Sequence, residues 1–410
     1  MRIAYVTQYF SSKPTHASAV TTYEIVKRLA ESGHEVYVFS ARSPGTIRIF
    51  DETGHCRVVK ILPIPEFAKR WYDGLVSLLT ATLAYAPLFI EALYVNQFQE
   101  KLDVIISMFH PTHFATVSAY ILAKILRLPL VVKIHDFVIE ALEPRTMRRI
   151  YNVVAGRINF GVLKRSSAIL VQSRELMSLM EKLGEIPEEK MVVFPSGVDT
   201  DFFKPRVKSG SLCKELALEG DSVLLFLGGL YRARHPEILI EALPSVVDRM
   251  KRVKLLFVGE GPQRHELMSL ATSLGVRDHV EFVGSVAHSM VPKFISLADI
   301  TIGPLSPILD ITAYGSVPLK VIEYMASEKP VVVCRGQVSN SIVIDRYNCV
   351  MFDPGDVHGL SSVVANLIND RNFAEYIGRN ARRHVEKSCS WNVLIPKLEN
   401  LLSSLVKSTD

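Results

Sequence analysis

The chain has 410 residues, more than the roughly 250–300 at which one hydrophobic core stops growing, so a single small binding module is excluded and two or three domains are expected. With 48% hydrophobic and 22% charged residues, it carries enough apolar side chain to offset ordering entropy, which excludes disordered and fibrous classes. The 47 basic and 42 acidic residues leave a net charge of +5, too balanced for a nucleic-acid coat, so no nucleic-acid partner is expected.

Cys56, Cys213, Cys334, Cys349 and Cys389 are odd in number, far apart and without a CxxC pair, which suits a reduced cytoplasmic setting and argues against zinc. The first apolar stretch, from Ile3 to Val6, is shorter than a secretory core and reads as a strand. The apolar uncharged run Gly74 to Ile90 contains Pro87 and its 17 residues fall short of a membrane span. It suits a segment lying on a membrane or a buried helix.

In chain order, strands are expected at Arg2–Thr7, Glu35–Ser40, Arg57–Pro63, Val104–Met108, Leu130–Ile134, Ala168–Gln172 and Met191–Phe194. A helix over Val20–Ser32 is closed by Gly33. The second half repeats the theme, with strands at Ser222–Leu227, Lys254–Val258, Val280–Val283, Ile300–Gly303, Pro330–Val333 and Cys349–Phe352, and helices opening near Pro236, Gln263, Met290 and Leu319. Such alternation predicts an α/β protein of two doubly wound, Rossmann-like domains. Pro195 to Pro205, rich in Pro, Gly and Asp, reads as the linker. The expected domains are therefore 1–200 and 206–388, with an amphipathic helix over 391–407 packing back on the first. Doubly wound sheets bind ligands beyond the carboxyl ends of their strands, so the loops there, facing across an interdomain cleft, are the candidate site.

Gly228-Gly229 and Arg234 follow the strand Ser222–Leu227. Glycine admits close approach of a ligand and Arg234 suits a phosphate, but a tight turn with solvated arginines explains the loop equally well. Gly259-Glu260-Gly261-Pro262 has the wrong glycine spacing for a nicotinamide fingerprint and leaves room for a nucleotide base beside the turn. Gly315-Ser316-Val317-Pro318 feeds a helix whose amides from Leu319 through Val321 to Ile322 face an anion, with Lys320 adding full charge and Glu323 placed to accept from ribose hydroxyls. An ordinary capped helix is the competing explanation. His135-Asp136 and His110 follow strands of the first domain, where a histidine donates to a sugar hydroxyl or simply supports the fold.

These pieces together resemble the retaining glycosyltransferases of the GT-B fold, specifically glycosyltransferase family four. The resemblance rests on Gly33-His34-Glu35-Val36, His135-Asp136, Pro195-Ser196-Gly197-Val198-Asp199, the turn at Gly228, Val258-Gly259-Glu260-Gly261-Pro262, Val283-Gly284, Ala298-Asp299-Ile300, Pro318 to Ala326 and Lys329-Pro330-Val331-Val332. It implies a donor domain that binds a nucleoside-diphosphate sugar, an acceptor domain, retention of anomeric configuration, and no metal ion or other cofactor. By the same resemblance His135 is the cleft histidine, Arg234 takes the place of the diphosphate-binding lysine, and Glu323 is the second glutamate of a paired motif. Gly228, Gly229, Gly259, Gly261, Val283, Leu319, Lys320, Val321 and Glu323 complete the expected donor set. Three positions depart from the family: Gly229 replaces an arginine, Gly315 replaces the first glutamate, and Pro14 to Ala19 replace a Gly-rich loop. Lys320 is expected to compensate for the missing arginine.

Glycosyl transfer leaves negative charge on the departing oxygens, which assigns Arg234, Lys320 and the helix amides to the leaving group and His135 to the sugar. From Pro144 to Arg174 the chain has Arg145, Arg148, Arg149, Arg157, Lys164, Arg165 and Arg174 and no acid. With Lys69-Arg70-Trp71 ahead of the apolar segment, this basic face suits an anionic membrane surface and a polyprenyl-linked or glycan acceptor for polysaccharide or glycolipid synthesis. Arginines paired with acids elsewhere, around a buried segment, are the alternative. A nucleotide-sugar epimerase or a non-catalytic nucleotide-sugar binding protein fits the same donor residues.

Overall fold

In the computed structural model the described residues are 1–7, 10, 17–40, 56–60, 101–109, 115–134, 157–304, 317–336 and 338–408. They divide into two compact units, Met1–Phe194 with Leu394–Asp410, and Pro195–Val393.

The first unit is built on β1 (Arg2–Thr7), β2 (Glu35–Ser40), β3 (Cys56–Lys60), β4 (Val104–Phe109), β5 (Leu130–Ile134), β6 (Ala168–Val171) and β7 (Met191–Val193). They form a parallel sheet in the order β3-β2-β1-β4-β5-β6-β7. Residues of β4 and β5 are buried throughout, which is why these strands read as unbroken apolar runs: a parallel sheet is covered on both faces. The helix Ala17–Glu31 ends at Gly33, whose φ of +86° suits glycine and lets the His34 amide reach the Leu29 carbonyl at 3.0 Å. Ala4, Phe39, Ile105, Val132 and Ile169 pack with the helix Ala115–Leu126 into one core.

The second unit carries β8 (Ser222–Leu227), β9 (Val253–Val258), β10 (Val280–Gly284), β11 (Ile300–Gly303), β12 (Val331–Cys334) and β13 (Val350–Phe352), parallel in the order β10-β9-β8-β11-β12-β13. One face buries Phe226, Phe257 and Phe282, with ring centroids 5.5 and 5.1 Å apart, against the helices Glu237–Arg249 and Val357–Asn369. The other buries Leu225, Val258, Val321, Tyr324 and Val333. The chain reverses direction across each sheet where β1 separates β2 from β4 and where β8 separates β9 from β11. Helices expected near Pro236, Gln263, Met290 and Leu319 begin at Glu237, Arg264, Val291 and Leu319.

The segment read as a linker is instead built into the second unit, and the division falls after Phe194 rather than at 200. Its turn residues do turn the chain: the Asp199 carboxylate accepts from the amides of Asp201 and Phe202 at 3.0 and 2.9 Å. Between those turns, however, Val198 and Phe203 are buried in the core, and the Val198 amide donates to Cys389 at 2.9 Å. A Cβ on Gly197 would stand 2.5 Å from the Trp391 ring, so that glycine is fixed by packing. The helix Trp391–Lys407 starts in the second unit and, from Leu394, belongs to the first, where Lys397 donates to the Val193 carbonyl at 2.7 Å and Glu399 meets His34 at 3.1 Å.

Candidate functional site

Open parallel sheets bind ligands beyond the strand ends where strand order reverses. In the second unit that point lies between β8 and β11. Beyond β8, Gly228 has a φ of +128° and its amide donates to Val258 at 2.9 Å, so the chain leaves the strand on a conformation few other residues adopt. Gly229 follows with the Tyr231 ring over it, 2.3 Å from where a Cβ would stand. Where the family carries an arginine, this chain thus has a glycine with an aromatic ring packed against it. Residues 305–316, after β11, lie outside the described residues, Gly315 among them, and the chain returns at Val317-Pro318 to open the helix Leu319–Ala326.

That helix brings Lys320 to the end of β8. Lys320 is only 9% exposed, its Nζ lies 3.8 Å from the Phe226 ring centroid, and it has no hydrogen-bond partner among the described residues. A Cβ on Gly228 would stand 3.7 Å from the same Nζ, so the glycine and the ammonium face one another. Burial pushes the Lys320 pKa well below its ordinary 10.5, the nearby Arg234 cation pushes it further, and Glu323 opposes both. Arg234 itself is exposed, at the end of the turn Arg232–Arg234. His235 Nδ1, Glu237 Oε2 and Gln263 Oε1, around the same loop, are also buried without partners among the described residues.

The helix amides are fewer than expected. Val321 already donates to the Pro318 carbonyl at 2.9 Å, which leaves Leu319 and Lys320 as the first-turn donors. One turn on, Glu323 is buried and its carboxylate lies 3.8 Å from His288 Nε2. His288 stacks on Phe202, with centroids 5.5 Å apart and planes at 17°, and meets Phe203 edge-on at 5.7 Å. Sequence reasoning missed His288. It sits in the short turn His288–Met290, outside any motif, and its aromatic neighbours come from far earlier in the chain. Tyr324 fastens the helix to β8 by accepting from the Leu227 amide at 2.8 Å, and burial raises its pKa well above 10 and keeps it neutral. At the helix's other end Arg382 donates to the carbonyls of Ala326 at 2.5 Å and Phe203 at 3.2 Å.

The loop beyond β9 differs from expectation in what its glycines are for. A Cβ on Gly259 would stand 2.1 Å from the Gly228 carbonyl oxygen, and one on Gly261 2.3 Å from that of Leu230. Both are required by the neighbouring backbone. Val283 is half-buried at the end of β10 and packs against the core around Val258. Thus Gly228, Arg234, Leu319, Lys320 and Glu323 gather at one place, with Gly259, Gly261 and Val283 behind them.

In the first unit, His110 and His135 directly follow β4 and β5, and both lie outside the described residues. So do Lys69, Arg70, Trp71, Arg145, Arg148, Arg149 and the segment 74–90. Of the basic run, Lys164 pairs at 2.9 Å with Glu185, an acid from beyond the run, and its hydrogen bond, helped by its charge, holds the Glu185 carboxyl below the usual range. Among the described residues, no three of His, Cys, Asp and Glu are grouped to hold a metal, and no helix is long and apolar enough to cross a membrane.

Residues 212–384 match the family described as Glycosyl transferases group 1, and residues 18–202 match Glycosyltransferase Family 4. The chain belongs to the group 1, family 4-type glycosyltransferases. Alpha-D-kanosaminyltransferase of Streptomyces kanamyceticus is 24% identical over 87% of this chain and 92% of its own length. GDP-mannose-dependent alpha-(1-6)-phosphatidylinositol monomannoside mannosyltransferase of Mycobacterium tuberculosis is 30% identical over 53% of this chain and 56% of its own. Among solved structures, Anabaena Alr3699/HepE in complex with UDP superposes with a TM-score of 0.74 at 20% identity, covering 98% of this chain and 100% of that one. The fold of this glycosyltransferase is GT-B, with two Rossmann-like domains. It is an enzyme of the hexosyltransferase type and draws its sugar from a nucleotide-sugar donor.

Proposed function

We propose that this glycosyltransferase transfers its sugar with retention and without a metal ion, from a nucleoside diphosphate to a glycan or polyprenyl-linked acceptor in polysaccharide or glycolipid synthesis. The observation that carries this reading is the buried Lys320 side-chain nitrogen, without a hydrogen-bond partner among the described residues and close enough to Arg234 to feel its charge, at the first turn of the helix Leu319–Ala326, where the second sheet reverses. As the bond between the anomeric carbon and the diphosphate oxygen breaks, negative charge collects on the leaving group. Lys320, Arg234 and the amides of Leu319 and Lys320 are the donors aimed at that charge, and such fixed dipoles need no reorganisation when it develops. Glu323 accepts from the ribose hydroxyls. His135, by its place in the family pattern, orients the sugar.

The relatives support this assignment by what their names say of them: one uses GDP-mannose, and Alr3699/HepE was solved with UDP. The acceptor is proposed to be met at the cytoplasmic face of a membrane, where Lys69, Arg70, Trp71, Arg145, Arg148 and Arg149 supply basic contacts. The test is turnover of a panel of UDP-, GDP- and ADP-sugars on lipid-linked acceptors with EDTA present, reading released nucleotide and the anomeric configuration of the product. Full activity in chelator with a retained anomer is expected; an inverted product or loss of activity that a divalent ion restores would overturn the proposal. Sedimentation with anionic vesicles at low salt checks the membrane contact, and no co-sedimentation rejects it.

A further inference from the structure

Lys320 is an unusual group to find at a candidate anion site. Its Nζ is buried, faces the Phe226 ring at 3.8 Å and touches no acceptor among the described residues. An ammonium removed from water without an acceptor is costly, and proteins commonly relieve that cost by releasing the proton. The surrounding groups divide on the question. From the loop beyond β8, Arg234 opposes a second positive charge, while from β8 itself the Phe226 face favours one. On the same helix Glu323 favours the charge, though its carboxylate also lies 3.8 Å from His288, which competes for it when protonated. The neighbouring Tyr324 phenol is held neutral by burial and adds no charge. Burial outweighs the favourable neighbours, and the group is held well below the ordinary lysine value.

We propose that Lys320 is a conditional cation, an amine that gives up its proton easily while no anion is bound and takes one from solvent as the nucleoside diphosphate enters. The amine lone pair accepts the proton from the buffer acid, and the ammonium so formed donates to a diphosphate oxygen. The charge therefore appears only when its counter-charge is present, and the site discriminates against uncharged nucleosides, which cannot stabilise it. Arg234 is always charged and exposed, so it attracts the anion, while Lys320 reports that the anion is seated. The inference rests on the donor-site reading given above and deepens it.

The experiment is calorimetric titration of the full chain with whichever of UDP, GDP and ADP binds most tightly, in two buffers of different ionisation enthalpy, over a pH series above neutrality. There the terminal phosphate, with a pKa of about 6, is already ionised and contributes no proton of its own. The expected result is proton uptake that rises with pH toward one per site, as the free amine becomes the dominant form. Lys320→Arg, which cannot release its proton, should bind the same nucleotide with no dependence on buffer. Lys320→Met should bind at least roughly thirtyfold more weakly, the lower end for truncating one partner of a buried charge pair. Binding of the wild-type chain without buffer dependence overturns the proton coupling and leaves the diphosphate site standing. If none of the three nucleotides binds, or if Lys320→Met binds as tightly as wild type with its circular dichroism unchanged, the donor-site reading falls and the coupling falls with it.

Discussion

Two adjacent loops of the second domain carry glycines at the ends of adjacent parallel strands, and they use them in opposite ways. Beyond β9, Gly259 and Gly261 press against the carbonyls of Gly228 and Leu230 at distances no Cβ tolerates. Beyond β8, Gly228 faces the Lys320 ammonium across ordinary van der Waals space. The first loop therefore serves as a wedge that holds the second in place, and the second is the surface offered to a ligand. A glycine-rich turn at a strand end is in this fold as much a packing device as a binding one.

The contrast is broken most directly by Gly259→Ala. The residue has a φ of +143°, and its Cβ would meet backbone rather than a flexible side chain. A loss of about 4 kcal/mol or more, at the exceptional end for one substitution, is expected in denaturant unfolding. A loss under 1 kcal/mol would show that the two loops separate easily and that the wedge is not one.

Lys320→Met sharpens the other side of the comparison. Losing one donor to a leaving oxyanion raises the barrier by about 3–4 kcal/mol, so kcat/KM should fall by a factor of roughly 100–1000. Stability should move the other way, because the variant has neither an ammonium to desolvate nor a proton to give up on burial. The pH dependence follows from the depressed value. Below 10.5 the unfolded chain binds more protons at this position than the folded one, so wild-type stability gains on the variant as pH rises from the depressed value to 10.5. The variant's advantage in melting temperature is thus greatest below the depressed value and closes as pH rises from there toward 10.5; a constant gap would mean that Lys320 keeps its proton.

The unequal legibility of these loops has a physical cause. Strands such as β4, β5 and β12 were readable because burial on both faces demands continuous apolar runs, and Gly33 was readable because its conformation follows from the helix it ends. Lys320 was readable as a cation at a helix start, but its seat over Phe226 depends on the pairing of β8 with β11 and the return of the chain, which no local pattern encodes. Gly259 and Gly261 were read as facing a ligand because the sequence shows which residues lack a side chain, not what fills the space. Pro195 to Pro205 misled for a related reason. Composition registered its turns, while the burial of Val198 and Phe203 is a property of the whole domain.

Gly228→Ala is the intermediate case. Its Cβ has room, 3.7 Å from Lys320 Nζ, so the expected stability loss is only the backbone strain of a left-handed position, about 1–3 kcal/mol. Because the methyl group points at the ammonium, nucleotide affinity should fall as well, which Gly259→Ala in any folded fraction should not reproduce. Equal losses of stability in the two alanine variants would erase the distinction between wedge and binding surface.

The smallest effect is expected behind the site, at His288. It touches the Glu323 carboxylate at 3.8 Å while stacked on Phe202, so it restrains the carboxylate assigned to the ribose without reaching the diphosphate. Its side chain is 54% exposed, and partly exposed pairs contribute at most about 1 kcal/mol. His288→Gln should therefore raise the donor KM by no more than about fivefold and leave kcat unchanged, since the leaving oxygens are held by other groups. The restraint acts on binding if Glu323→Gln raises KM similarly and the double variant adds little to either, because two residues working through one contact are not additive. Full additivity would separate His288 from Glu323 and leave the ring as packing for Phe202 and Phe203 alone.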